Sequence, residues 1–245
     1  MSTVIEFDYV IVGGGAAGCV LAARLAAQGD GTVALLERGK QDTNRWIHIP
    51  ATFFKALQSE DADAVISEPD ASLNGNPFPV PQGRVLGGGS SVNGMIYMRG
   101  QQRDYDDWAD AHGCTGWAFD DALRTFKRQE KNMRLADDFH GTKGKLIVDD
   151  PATPHPVTKM VIEAAVDAGI PRTDDFNGAK QEGAGWYQVT ASDGKRQSAA
   201  TCFLRPELNR ENLTILTNFH AQLIRIQNRR ATAVEAKDPA GQNMA

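Results

Sequence analysis

The chain has 245 residues, 41% hydrophobic and 23% charged, enough to bury a substantial core as one large domain or two interleaved ones. Its net charge of −5, with the basic residues scattered, gives no electrostatic footprint for nucleic acid. Cys19, Cys114 and Cys202 are far apart and lack ligand spacing, which argues against zinc or a disulfide framework; no metal site is expected, and reduced thiols fit a cytoplasmic setting.

The start, MSTVIEFDYVIVGGG, lacks the basic segment of a signal peptide. No apolar run approaches the ~18–20 residues needed to cross a bilayer, and peripheral attachment to a membrane stays open. Phe7–Val12 is a β-branched apolar run closed by Gly13, suited to a buried parallel strand. Ala16–Gln28 follows as a helix with Gly18, Leu21 and Leu25 on one face, and Thr32–Glu37 as a second buried strand. Together they predict a βαβ unit.

Residues 40–105 read as loop-rich, with Pro50, Pro69, Pro77, Pro79 and Pro81. Asp120–Met133 reads as a helix, acidic at its start and basic towards its end, and Lys145–Val148 as a short strand. Pro156–Ala168 has the clearest amphipathic spacing, with Val157, Met160, Val161, Ala164, Ala165 and Ala168 on its inner face. Residues 174–195 suit loops and strands of a substrate-facing layer. Gln197–Leu204 suits a short helix, and Leu213–Thr217, Ala221–Ile226 and Ala231–Ala236 suit three consecutive strands.

Gly13, Gly15 and Gly18 match GxGxxG between a strand and a helix, and Glu37 stands 19 residues beyond Gly18 at the end of the next strand. That context predicts a dinucleotide site: Gly13 for the turn, Gly15 for approach to a pyrophosphate, Gly18 for helix–strand packing and Glu37 for ribose hydroxyls. The turn leaves FAD and NAD undistinguished, since both carry an ADP half. A second run, Gln82–Gly100 (QGRVLGGGSSVNGMIYMRG), contains six glycines. A flavin accumulates negative charge near N1 and C2=O on reduction, and such a loop lets backbone N–H groups lie against the ring; Gly94 removes bulk where a substrate must also fit. A phosphate-binding or purely structural glycine loop is the alternative.

The stretch Gly83–Gly100, with Asp106 beyond it, resembles the first motif of the glucose–methanol–choline (GMC) flavoprotein oxidoreductases, in its choline-dehydrogenase-like version. The segments Phe7–Gly18, Trp117–Asn132, His140–Gly144, Asp175–Gly183, Gly185–Thr190 and Arg196–Ala200 agree, so the resemblance runs from residue 7 to about 236. It implies an α/β, Rossmann-like FAD-binding domain of the glutathione-reductase type with part of an α+β substrate domain. Residues 1–150, with the cofactor loop 83–106, would belong to the FAD domain, 151–195 to a partial substrate domain, and 196–245 to the return into the FAD domain.

The resemblance further implies FAD held by Gly13, Gly15, Gly18 and Glu37, a flavin ring against Val85, Gly89, Asn93, Gly94, Met95 and Ile96, and a backbone contact from Leu223 to adenine. Some members tether FAD through a histidine immediately before the motif's asparagine; Val92 stands there, so FAD is expected to be non-covalent. The implied reaction is oxidation of a choline-like or other primary alcohol to an aldehyde by hydride transfer to flavin N5, with the electron acceptor open. The family's second motif and its C-terminal catalytic His lie beyond residue 245, so no catalytic residue is expected among His48, His112, His140, His155 and His220. The expectation is therefore a chain truncated relative to the family, with weak or no turnover and marginal stability, or a need for an oligomer or complementing chain. A non-catalytic flavin- or nucleotide-binding module is the alternative.

Overall fold

The computed structural model describes residues 4–245. In chain order β1 (Tyr9–Val12), α1 (Ala16–Gln28) and β2 (Val33–Glu37) come first. Next are α2 (Arg45–His48), α3 (Phe53–Leu57), β3 (Ala62–Ile66), β4 (Pro79–Gly83), α4 (Gly89–Val92), α5 (Gln102–Asp110), α6 (Phe119–Gln129), β5 (Glu130–Asn132) and β6 (Leu146–Val148). The chain continues through α7 (Pro156–Asp167), β7 (Ala191–Ser192), β8 (Lys195–Arg196), β9 (Leu213–Thr217), β10 (His220–Gln227), β11 (Arg230–Lys237) and β12 (Asn243–Met244). It divides into two compact units: unit 1 runs up to Gly94 and resumes at Ser198–Ala245, and unit 2 is Met95–Gln197.

Unit 1 is built on a parallel sheet ordered β1-β2-β9. Its central strand, VALLE, is buried at all five positions, as a run without polar alternation requires when both faces are covered. β1 is parallel as expected but lies at the sheet edge, with Val10 41% and Val12 47% exposed, so only Ile11 of this strand is core. Helix α1 turns inward Gly18, Cys19, Ala22, Ala23 and Ala26; of the residues read as sharing a face with Gly18, Leu25 is half-buried and Leu21 is exposed. The small side chains win because the helix sits close to the sheet, where a leucine would not fit. An antiparallel ribbon, β10-β11-β12, adds Ala236 to a core cluster with Ala34 and Leu36.

The loop-rich stretch is more ordered than its prolines suggest. It contains the β3–β4 antiparallel pair, in which Pro79 and Pro81 are accommodated because the ribbon has only two strands and each has a free edge. Ile47, Ala56, Val85 and Val92 close a small core beneath it. The expected helix before Pro206 is a short π-helical element, Ala200–Leu204.

Unit 2 holds α5, α6, α7 and two short pairs, β5 with β6 and β7 with β8. Helix α6 stops at Gln129, earlier than expected, and Glu130–Asn132 become a strand. The reason is side-chain chemistry: Glu130 and Asn132 enter a buried polar network that only an extended backbone lets them share. Helix α7 keeps its expected limits almost to the residue, yet of its side chains only Ile162 is buried, while Val157, Met160 and Val161 are exposed. Among the described residues no helix is long and apolar enough to cross a membrane.

Candidate cofactor site

The dinucleotide turn forms where the sequence places it. Gly13, at φ +96°, donates its N–H to Leu36 O at 2.8 Å and turns the chain out of β1. Helix α1 then begins with Gly15 at its N-cap, with no side-chain cap and no acidic residue in its first turn. Its first N–H groups therefore present a positive end to an anion. A Cβ on Gly18 would stand 1.9 Å from the Gly13 carbonyl oxygen, whereas one on Gly15 would meet nothing within 4 Å. Gly18 is thus required by helix–strand packing and Gly15 faces open space.

Glu37 is 6% exposed, and its two oxygens accept from the backbone N–H of Gly14 and of Gly39, each at 2.7 Å. The carboxylate ties the glycine turn to the end of β2 and retains unused lone pairs. The second glycine loop packs against the same turn: Gly87 donates to Gly14 O at 2.7 Å, and a Cβ on Gly88 would lie 2.8 Å from the Gly15 Cα. Residues far apart in sequence, 13–18, 37 and 85–89, are therefore brought together in unit 1.

The other predicted residues fall into four groups. Gly89, Asn93, Gly94 and Ile96 are exposed, with free space around Gly94 to 4.0 Å. The Val85 and Val92 side chains are committed to the core cluster with Ile47 and Ala56, leaving Val85 only its backbone for a ligand. Leu223 belongs to the β10–β11 ribbon rather than to the parallel sheet, and its side chain is half exposed. Met95, the first residue of unit 2, is buried and held at φ +63°, a conformation that costs a non-glycine residue about 1–3 kcal/mol.

A cleft of about 280 Å³ beside Leu86, lined by Asp42, His48, Leu204 and Arg205, was not foreseen. Arg205 donates to both oxygens of buried Asp42 at 3.0 and 2.9 Å, and His48 Nε2 lies 2.6 Å from Asp42 O. No local spacing signals a pair 163 residues apart. A cleft of about 580 Å³ beside Val10, Ala34, Leu36 and Val234 includes none of the predicted cofactor residues.

Unit 2 carries a buried ionic network. Arg99 Nη2 donates to Glu130 Oε2 at 2.8 Å, His140 Nδ1 lies 3.1 Å from Glu130 Oε1, and His140 Nε2 lies 3.0 Å from Asp175 Oδ2. Burial works against charge on His140, but the hydrogen bonds to Asp175 and Glu130 outweigh it and hold its pKa up at about 9. Burial likewise opposes ionisation of Glu130 and Asp175, yet the bond from His140 keeps both below the usual carboxylate range. Asp137, His140 and Asp175 bring one ligand-type atom each within 4.8 Å of one another. Because both ring nitrogens of His140 face carboxylate oxygens at hydrogen-bond distance, the group is an ion-paired cluster. His155 caps α7, its Nδ1 accepting from Val157 N at 3.2 Å.

The family model described as GMC oxidoreductase matches residues 7–245. The chain belongs to the GMC oxidoreductase family. It is 42% identical over 230 residues to an alcohol dehydrogenase [acceptor] of Pseudomonas putida, covering 93% of this chain and 42% of that protein. It is 40% identical over 232 residues to an oxygen-dependent choline dehydrogenase of Sinorhizobium medicae, covering 94% and 42%. Among solved structures, pyridoxine 4-oxidase from Mesorbium loti superposes with a TM-score of 0.91 at 32% identity, over 98% of this chain and 48% of that one. An FAD-dependent oxidoreductase from Chaetomium thermophilum does so at 0.88 and 26%, over 98% and 44%. The chain thus spans less than half the length of the GMC proteins it matches, and its α/β architecture is that of their FAD-binding part.

Proposed function

We propose that this chain supplies the FAD-binding part of an alcohol-oxidising GMC flavoenzyme. The observation that carries the reading is the shared cradle of the two glycine loops, where α1 starts uncapped, Gly15 faces open space and Gly88 lies against it. On this reading the N–H groups of α1 hold the pyrophosphate and the remaining lone pairs of Glu37 accept from ribose hydroxyls. The backbone of Val85, Gly89 and Asn93–Ile96 borders the flavin ring, and the backbone of Leu223 borders adenine. Bound FAD would supply hydride acceptance at N5. Val92, packed in the core, offers no nucleophile for a tether, so the flavin is non-covalent. Unit 1 carries the dinucleotide-binding part, and the stretch 151–195 within unit 2 belongs to the substrate side.

The substrate class is a choline-like or other primary alcohol, supported by the names of the relatives. The base that takes the hydroxyl proton lies outside these residues; His48, His140 and His155 are committed to Asp42, to the ionic network and to the α7 cap. The test is the absorbance of purified chain reconstituted with FAD, followed by dye reduction with a panel of primary alcohols. Flavin bands with little or no alcohol-dependent dye reduction are expected. Binding of NAD in place of flavin would refute the cofactor, and steady turnover by this chain alone would refute the placement of the base. Full flavin occupancy with no bleaching by any alcohol, even when the rest of a related protein is supplied, would favour a non-catalytic flavin-binding module.

A further inference from the structure

The segment that leaves the second glycine loop is strained at Met95 and then fastened at every second backbone group. Met95 O accepts from Thr190 N at 2.8 Å and from Thr190 Oγ1 at 3.3 Å. Ile96 bridges Val189, and Tyr97 N donates to Gln188 O at 2.9 Å. Tyr97 O accepts from Asn177 Nδ2 at 3.0 Å, and Arg99 N donates to Asn177 Oδ1 at 2.8 Å. A backbone in a costly conformation persists only where its surroundings over-determine it.

Both sets of fasteners lead back to one side chain. Gln188 exchanges two amide hydrogen bonds with Asn132, at 2.8 and 3.2 Å, and Asn132 Nδ2 donates to Glu130 Oε1 at 3.0 Å. Asn177 N donates to Asp175 Oδ1 at 2.8 Å. Glu130 and Asp175 are the two carboxylates that His140 bridges. Asn132 Nδ2 also lies 3.2 Å from His140 Nδ1, but its two hydrogens are taken by the shorter contacts to Gln188 and Glu130. Nδ1, facing a carboxylate oxygen that can only accept, therefore donates to Glu130, and with Nε2 donating to Asp175 the ring is an imidazolium. The charged groups facing it are Glu130 and Asp175, Asp137 beside its own backbone N–H, and Arg99 across Glu130.

We propose that His140, as an imidazolium, is a positioning residue: by holding Glu130 and Asp175 it fixes the strained backbone of Met95 and Ile96, the residues read above as bordering the flavin ring. The inference rests on the flavin reading above. Loss of the proton leaves one carboxylate without its partner, and the fastening route that runs through it loosens. The flavin-facing end of the loop then relaxes from its strained conformation.

The test combines amide hydrogen exchange, which needs no flavin, with visible circular dichroism of bound FAD, for the wild type and His140→Gln at about pH 7 and about pH 10. In the wild type, protection of peptides covering 95–100 and 186–190 should fall by roughly tenfold or more between the two pH values after correction for intrinsic rates, with β2 as the unchanged control. The variant should show the reduced protection already at the lower pH, and the flavin dichroism should change in step with exchange in both proteins. Unchanged protection of 95–100 in the variant and across the pH range overturns the proposal. So does lost protection with an unaltered flavin spectrum, which would make the network merely structural. If the variant fails to fold, the wild-type pH series decides alone. Failure of the wild type to bind FAD overturns the cofactor reading and this role with it, and the exchange data tell that outcome apart from failure of the network.

Discussion

Two alanine substitutions one helical turn apart should separate what the fold needs from what the ligand needs. In Gly18→Ala the new Cβ starts 1.9 Å from the Gly13 carbonyl oxygen, a backbone atom that cannot rotate away. Helix α1 must retreat from the strand by more than ~1 Å, and such overpacking costs about 1–3 kcal/mol. The better helix propensity of alanine returns at most ~1 kcal/mol. A net loss of about 1–2 kcal/mol lowers Tm by roughly 2–8 °C for a domain of this size. In Gly15→Ala the Cβ meets nothing within 4 Å, and the residue sits at φ −72°, ψ −167°, open to any amino acid. At an N-cap alanine is poorer than glycine, which offsets the entropy gained through the unfolded chain, so the Tm of this variant should stay near that of the wild type. Its FAD affinity falls at least about tenfold, ~1.4 kcal/mol, because the backbone approach is blocked. Thermal unfolding of the flavin-free proteins and fluorescence titration with FAD measure both effects. A Gly15→Ala protein that binds FAD like the wild type, or a Gly18→Ala protein as stable as the wild type, would refute the division of labour.

Glu37→Gln replaces one of two acceptors by a donor facing a buried backbone N–H, so urea unfolding should show a loss of about 1–3 kcal/mol, together with weaker FAD binding; unchanged stability would contradict the tie between Gly14 and Gly39. His140 has a folded pKa of about 9 against an ordinary 6.5. Its contribution is complete below the ordinary value and lost as pH rises through the folded one, by about 3 kcal/mol in total. Glu130 and Asp175 are shifted downward, so their contributions are lost only as pH falls into the acid range. Urea midpoints should therefore decline on the alkaline side in the wild type and be flat there in His140→Gln; parallel profiles would refute the assignment. Acid precipitation of the FAD-loaded protein should leave all flavin in the supernatant, and colour retained in the pellet would show a covalent link that Val92 cannot make.

The parts of the molecule legible in the sequence are those whose causes are local. Gly13, Gly15, Gly18 and Glu37 sit within one βαβ turn, where spacing alone fixes which backbone groups can meet. The GMC motif likewise identifies its loop without knowledge of the rest. Local pattern does not say what covers a face. It gave α7 its limits but not the exposure of Val157, Met160 and Val161, and gave β1 its direction but not its place at the sheet edge. Least legible is the ionic network, since Arg99 meets Glu130 across 31 positions and Asn177 reaches Tyr97 across 80. The one sign available was indirect: Glu130 and Asn132 end an otherwise helical run, and a buried carboxylate there demands a cationic partner.

The glycines of the two loops do not share one purpose. Gly18 and Gly88 are filled by the protein itself, one by the Gly13 carbonyl and the other by Gly15, so their missing side chains let backbone pack on backbone. Gly15 and Gly89 have nothing within 4 Å of a built Cβ, and only a ligand explains their bareness as anything but tolerance. The turn and the loop therefore lock each other through the first pair and offer the second pair outward. Mutual packing puts the geometry of the site in the fold rather than in the cofactor. Without flavin, the unloaded chain should already hold the Gly87–Gly14 hydrogen bond, and slow exchange of the Gly87 amide in flavin-free protein measures it. Rapid exchange there, slowed only when FAD is added, would show instead that the cofactor assembles the cradle.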